Sequence, residues 1–272
     1  RELPVRVCYS DSILRYEARH DISRNEFFQS GAELIGVAGR EGDLEILLLL
    51  EEALDAAGAG RYALHIGNSA LLRRAAESFR PGVPEAVDRL RELLGNRRFD
   101  ELRAYLHEVG GITEARAEAL TELYAFIGGA EELEQRMAGW TGELNEEEIS
   151  EVTYLVSLAR SLKELRPGEE TRPVRLDLSE IGARSYYTGI AFQAYVDRLD
   201  SAIAGGGRYD ALLASFGFSA PSVGFSMLPR KIASLKAGER GAPTVETAAG
   251  DSFAERYRAA RAARSDGRRV RL

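Results

Sequence analysis

The chain has 272 residues, 44% hydrophobic and 29% charged, which is ordinary globular usage: it excludes a disordered chain and leaves room for one or two domains with a full core. With 36 Lys and Arg against 43 Asp and Glu the net charge is −7, which weighs against broad nucleic-acid binding. Within these residues the single cysteine, Cys8, excludes an intrachain disulfide and a cysteine-rich zinc site, and it fits a reducing, cytoplasmic setting.

The chain opens in a strand-like stretch without an initiator Met, the pattern expected of a piece of a longer protein. Residues 4–9 alternate, with Val5, Val7 and Tyr9 against Arg6 and Cys8, the period of a half-buried strand. After the polar stretch 15–26, residues 27–37 read as a second strand, antiparallel to the first across a long charged loop. Residues 44–57 form an amphipathic helix, with Asp43 as N-cap and Gly58 as the stop. A short strand over 62–66 and a helix to about residue 79 follow. Residues 84–165 then carry helical spacing almost throughout: 85–94, 99–109, 113–127, 131–140 and 145–165, the last opened by a capping box of Asn145 and Glu148.

Strand signals return at 174–178, where Val174, Leu176 and Leu178 alternate with Arg175 and Asp177. Residues 186–196 read as one long aromatic and β-branched strand, and 223–227 as a buried one. Between them lies the glycine stretch 205–207, a tight turn followed by a short helix to residue 214. A helix begins near residue 231, residues 241–250 read as a linker, and 253–263 as a last helix. The seven arginines of the tail, from Arg256 to Arg271, read as a solvated face. No apolar run approaches the ~20 residues of a membrane span, so no membrane association is expected. Strands, then inserted helices, then strands predict an α+β fold: a mostly antiparallel sheet with helices on one face. The corresponding divisions are 1–80 and 167–238 for the sheet-bearing core, 81–166 for a helical insertion, and 239–272 for a linker and the start of a further α/β domain.

Three features invite chemistry, and each has a plain alternative. On the strand 27–37, Gln29, Gly31 and Glu33 share a face, which forms either the floor of a polar pocket or a solvated sheet surface. The run Gly205-Gly206-Gly207-Arg208-Tyr209-Asp210 permits close backbone approach to a ligand, yet it is neither a Walker motif nor a dinucleotide fingerprint. Tyr186 and Tyr187, at the start of a strand, place one ring on each face. His20, His65 and His107 are too scattered for a metal cluster or a catalytic triad, so neither a metal nor a cofactor is expected.

Taken together and in this order, the motifs resemble the class II aminoacyl-tRNA synthetases in their histidyl form. Ser12-Ile13-Leu14-Arg15-Tyr16-Glu17 with residues 25–36 is similar to motif 2, and Tyr186-Tyr187-Thr188-Gly189 to the histidine-binding loop. Gly206-Gly207-Arg208-Tyr209-Asp210 resembles the glycine strand, and Val223-Gly224-Phe225-Ser226-Met227 resembles motif 3. Motif 1 has no counterpart and is expected before Arg1. The resemblance implies a class II synthetase-like antiparallel sheet flanked by helices. It also implies a histidine pocket of Gln29, Glu33, Tyr186, Tyr187 and Tyr209, lined further by Arg15, Glu17, Gly206, Gly207 and Arg208.

The departures point within the family. Histidyl enzymes carry an arginine where this chain has Gly182, and Arg184 stands two positions away, on the same face if the segment is a strand. The motif 3 arginine is replaced by Lys231, and Pro229 is expected to disturb the helix start there. Arg15 keeps the motif 2 arginine. Phe27 to Gly36 is most similar to the regulatory subunits of short-form ATP phosphoribosyltransferase. That resemblance implies a non-catalytic, cytoplasmic subunit that dimerises and assembles with the short catalytic subunit. It would act allosterically in the first step of histidine biosynthesis, with histidine as effector and no tRNA bound. An active histidyl-tRNA synthetase fragment and a synthetase-like pseudo-enzyme with another partner are the alternatives.

Overall fold

The computed structural model describes residues 2–14, 26–140, 142–166, 172–182 and 184–239, together with 246–247, 249–250, 252, 255, 259, 262–263 and 270–271. Two compact units divide the chain, Arg1–Ile232 and Ala233–Leu272. The first opens with β1 (Val5–Leu14) and β2 (Glu26–Ile35), paired antiparallel along all ten residues of each. Helix α1 (Gly39–Ala57) follows, with Ile46, Leu47, Leu50 and Leu54 buried at helical spacing. It stops at Gly58 in the left-handed conformation, as the sequence predicts. Next come β3 (Ala63–Asn68) and α2 (Ser69–Phe79), whose start is capped by the Asn68 side chain accepting from the Ala70 amide.

The helical stretch comprises α3 (Pro84–Gly95), α4 (Phe99–Ala104), α5 (Glu114–Ala125), α6 (Ala130–Trp140) and α7 (Glu146–Leu165). The capping box of Asn145 and Glu148 closes the start of α7 in both directions. Helix α4 does not run on to residue 109. It widens into a π-helical turn over Tyr105–Val109, where the Gly110 amide reaches back to the Tyr105 carbonyl. Within this helical stretch lies a short strand that the sequence did not reveal, β4 (Ile127–Gly128), only two residues long. The return of strands is β5 (Val174–Asp177), β6 (Ile190–Tyr195), β7 (Ala204–Arg208) and β8 (Ser222–Met227), followed by α8 (Pro229–Glu239).

These strands form one eight-stranded sheet in the order β1-β2-β8-β7-β6-β3-β5-β4. Every pairing is antiparallel except β3 with β5. The α+β architecture with a mostly antiparallel sheet is therefore present. Helices α1 and α7 pack on the sheet, and α7 buries Val152, Leu155, Val156, Leu158 and Leu162. In the second unit the described residues include a two-residue parallel pair, β9 (Glu246–Thr247) with β10 (Val270–Arg271). Most of the expected helix 253–263 and most of the arginine-rich tail lie outside the described residues.

Several local expectations are corrected. Asp43 is not an N-cap: α1 begins four residues earlier, and Asp43 is buried inside it. The Arg208 guanidinium donates to the carbonyls of Val37 and Gly39 as well as to Asp43, so a tertiary contact extends the helix. Asp177, which alternates with Leu176, is buried as Leu176 is. The glycine stretch is not a turn but the central strand β7. A Cβ at Gly206 would stand 2.2 Å from the Gly224 carbonyl oxygen and 2.6 Å from the Phe192 ring. The short helix expected after it is a single 3-10 turn, Leu213–Phe216. Pro229 opens α8 without disturbing it, because the first helical position needs no amide hydrogen.

The expected strand 186–196 is a strand only from Ile190. Residues before it turn, with the Tyr187 amide donating to the Arg184 carbonyl. Gly182 takes a positive φ of 74°, a conformation that no pattern of side chains announces. The two tyrosines therefore do not straddle the sheet, and Arg184 is not two places along a strand from Gly182.

Candidate functional site

The pleat of β2 sends Gln29, Gly31 and Glu33 to one face and leaves Ala32 and Leu34 buried on the other. Gln29 is itself buried, and its Nε2 donates to the Tyr9 hydroxyl at 2.5 Å. Glu33 lies across β8: its carboxylate occupies the place where a side chain at Gly224 would stand, and it accepts a hydrogen bond from the Tyr209 hydroxyl. Burial raises the Glu33 pKa above the usual carboxylate range, and the Tyr209 hydrogen bond only partly opposes it. The Tyr209 hydroxyl is pushed up by burial and by this same carboxylate.

Three tyrosine rings form a continuous edge-to-face cluster. Tyr186 meets Tyr187 at 5.1 Å and Tyr209 at 5.8 Å. The Tyr187 ring lies over Gly207, where a Cβ would stand 2.9 Å from it. The same ring fills the space beside Gly182, where a Cβ would stand only 2.3 Å away. Glu33, Tyr186, Tyr187 and Tyr209 are thus brought together on one side of the sheet, over Gly207, and Gln29 stands on the same face.

Gln29 and Tyr187 of this cluster line a cavity of about 590 Å³, while Glu33, Tyr186 and Tyr209 stand outside its lining. Its lining also includes Phe27, Phe28, Gly205 and Gly206, and Arg184, Arg230 and Lys231 supply positive charge. Lys231 Nζ donates to Ser201 Oγ at 2.6 Å and to the Ala202 carbonyl at 3.3 Å, so it is held by the chain's own oxygens. The Arg184 side chain makes no hydrogen bond or ion pair among the described residues.

Two of the expected site residues cannot be placed: Arg15 and Glu17 lie outside the described residues. Arg208, expected to line the pocket, turns away from it. It is buried with Asp43 at 2.7 Å and Asp210 at 2.9 Å, fastening β7 to the start of α1. A salt-bridged, fully hydrogen-bonded guanidinium of this kind has no capacity left for a ligand.

Reading the sequence missed a second polar layer. Glu180 is buried, accepts from Gln193 Nε2 at 3.0 Å and from the Gly182 amide at 3.1 Å, and has its pKa raised by burial despite both bonds. Gln193 in turn lines the cavity. Beside this pair, Asp177 binds His65 Nδ1 at 3.1 Å, Arg97 at 2.6 Å and Ser179 Oγ at 2.7 Å. Burial pushes Asp177 up, but these hydrogen bonds outweigh it and hold the carboxyl at about 2, ionised throughout the neutral range. The available signal was Gln193, a lone polar residue within the apolar run of β6. Among the described residues no group of His, Cys, Asp and Glu could hold a metal ion, and no helix is long and apolar enough to cross a membrane.

Residues 1–232 match the family model described as Histidyl-tRNA synthetase. A protein of Moorella thermoacetica named ATP phosphoribosyltransferase regulatory subunit is 34% identical over 229 residues, covering 84% of this chain and 56% of that protein. The chain spans about half the length of the curated relatives it matches. A Bacillus halodurans crystal structure described as an ATP phosphoribosyltransferase regulatory subunit/histidyl-tRNA synthetase superposes with a TM-score of 0.74 at 25% identity, over 99% of this chain and 68% of that one. The ATP phosphoribosyl transferase (HisG:HisZ) complex of Thermotoga maritima shares the fold, with a TM-score of 0.61 at 22% identity over 84% of this chain and 74% of that one.

Proposed function

The chain belongs to the histidyl-tRNA synthetase family, and on that premise we propose that it is not a synthetase but the regulatory subunit required by the short catalytic subunit of ATP phosphoribosyltransferase, with histidine as its effector. Gly182 carries this reading. It stands where the resemblance puts an arginine that takes part in adenylate formation. Its backbone is left-handed, and the Tyr187 ring leaves no room for a Cβ. A preorganised cation on a reacting phosphate supplies a few kcal/mol of barrier lowering, and none projects from this position. The second departure agrees: Lys231, in place of the motif 3 arginine, cannot offer a planar, bidentate fork and is engaged by Ser201 and Ala202. The names of the curated relatives support the same assignment.

Histidine would sit in the cluster of Gln29, Glu33 and the three tyrosines. A carboxylate has about four acceptor positions, so Glu33 can take an imidazole N–H while keeping the hydroxyl of Tyr209. Feedback then requires histidine to favour one assembly state over another, by a coupling of typically ~1–3 kcal/mol. The subunit would act as a cytoplasmic dimer within a hetero-oligomer and would bind no tRNA. The test is reconstitution. Mixed with the short catalytic subunit, the full-length protein should raise transferase activity, and histidine should lower it again; no stimulation at any ratio would sink the proposal. One observation favours the other reading, an active synthetase: Arg184, Arg230 and Lys231 still face the cavity.

A further inference from the structure

The turn that carries Tyr186 and Tyr187 is held from behind by two guanidinium groups of the helical stretch. Arg73, on α2, donates to the Tyr187 carbonyl. Arg91, on α3, points Nη1 at the Gly182 carbonyl, 3.5 Å away, and its Nε is buried without a partner. The two carbonyls mark the two ends of the turn.

Neither arginine makes an ion pair among the described residues. Both are half-buried, and burial lowers the pKa of each; Arg91 lowers that of Arg73 further, while Glu151 opposes the shift at Arg73 and Asp88 opposes it at Arg91. Like charges drawn partly out of water without a close ion pair are costly. The hydrogen-bond acceptors that the structure gives these two guanidinium groups are the pair of carbonyls.

Building on the histidine-pocket reading, we propose that Arg73 and Arg91 are positioning residues that set the tyrosine turn and thereby couple occupancy of the pocket to helices α2 and α3. Any shift of Tyr187 on ligand binding moves a carbonyl that α2 holds, and any shift of the Gly182 end moves one that α3 holds. The helical stretch thus senses the ligand without touching it.

Hydrogen exchange and histidine titration of the full-length protein test this. In the free protein, Arg73→Met and Arg91→Met should speed amide exchange over residues 182–189 and leave β3 and β6 protected. Histidine affinity should fall roughly tenfold in Arg73→Met, the scale of one charge-assisted hydrogen bond, and Arg73→Lys should recover most of it. In the wild type, histidine should slow exchange over residues 69–95 as well as in the pocket; in Arg73→Met the slowing over 69–95 should vanish. Unchanged exchange at 182–189 in both Met variants overturns the proposal whether or not histidine binds. So does a histidine effect confined to the pocket, which needs only the wild type if a variant fails to fold. A wild type that ignores histidine while the Met variants loosen 182–189 would instead refute the histidine reading and keep the positioning role.

Discussion

Gly182→Arg lowers stability and does not create adenylate-forming activity. The backbone at this residue has a φ of 74°, which costs a residue with a side chain roughly 1–3 kcal/mol. The new Cβ would also meet Tyr187 Cδ2 at 2.3 Å and Cε2 at 2.6 Å, and such overpacking costs a further ~1–3 kcal/mol. Together these predict a loss of about 3 kcal/mol and a fall in Tm of at least ~5 °C by thermal unfolding. Gly182→Ala carries most of the cost, because the clash begins at Cβ. The displaced ring is also part of the tyrosine cluster, so histidine affinity should fall in both variants. A Gly182→Arg protein as stable as the wild type would show that the turn adapts easily, and the argument from lack of space would fail.

Glu33→Gln separates binding from folding. Replacing the carboxylate by a neutral amide of the same shape should weaken histidine binding by about 10–100-fold, the range of a hydrogen bond to a charged group. Stability should not fall with it. Burial raises the Glu33 pKa above its unfolded value, so the folded state binds the proton more tightly. For such a group the stability contribution is full below the unfolded pKa and is lost as pH rises through the raised folded pKa. In Glu33→Gln that dependence disappears, and neutral-pH stability is equal or greater. Histidine affinity in the wild type should decline as the pH is lowered toward the raised pKa, since protonation removes the acceptor charge. Isothermal titration across pH, beside thermal unfolding, checks both; unchanged affinity in Glu33→Gln would remove Glu33 from the pocket.

The sheet and its helices were legible in the sequence because their signals are local. Alternation marked the start of β1, although no residue of that edge strand is buried and Val7 is exposed; helical spacing marked α1, and the caps at Gly58 and Asn145 sit where their chemistry required. The shared face of Gln29 and Glu33 followed from the strand period alone. What stayed hidden was set by tertiary contact. Arg208 reads as a pocket residue in sequence, yet Asp43 lies far away along the chain and claims it. Aromatic and β-branched composition ran a strand through residues 186–189, but Gly182 turns the chain and Arg73 holds the turn. Arg73, Arg91 and Glu180 sit among ordinary charged residues, and only their burial against the turn distinguishes them.

Histidine-dependent exchange of pyrophosphate into ATP by the full-length protein reads the first half-reaction of a synthetase and needs no tRNA or partner. A chain with glycine at position 182 and lysine at position 231 should give no exchange above a protein-free control at saturating histidine and Mg-ATP. Sustained exchange dependent on histidine would mean that Arg184, Arg230 and Lys231 steady the reacting triphosphate, and that this protein is a working synthetase.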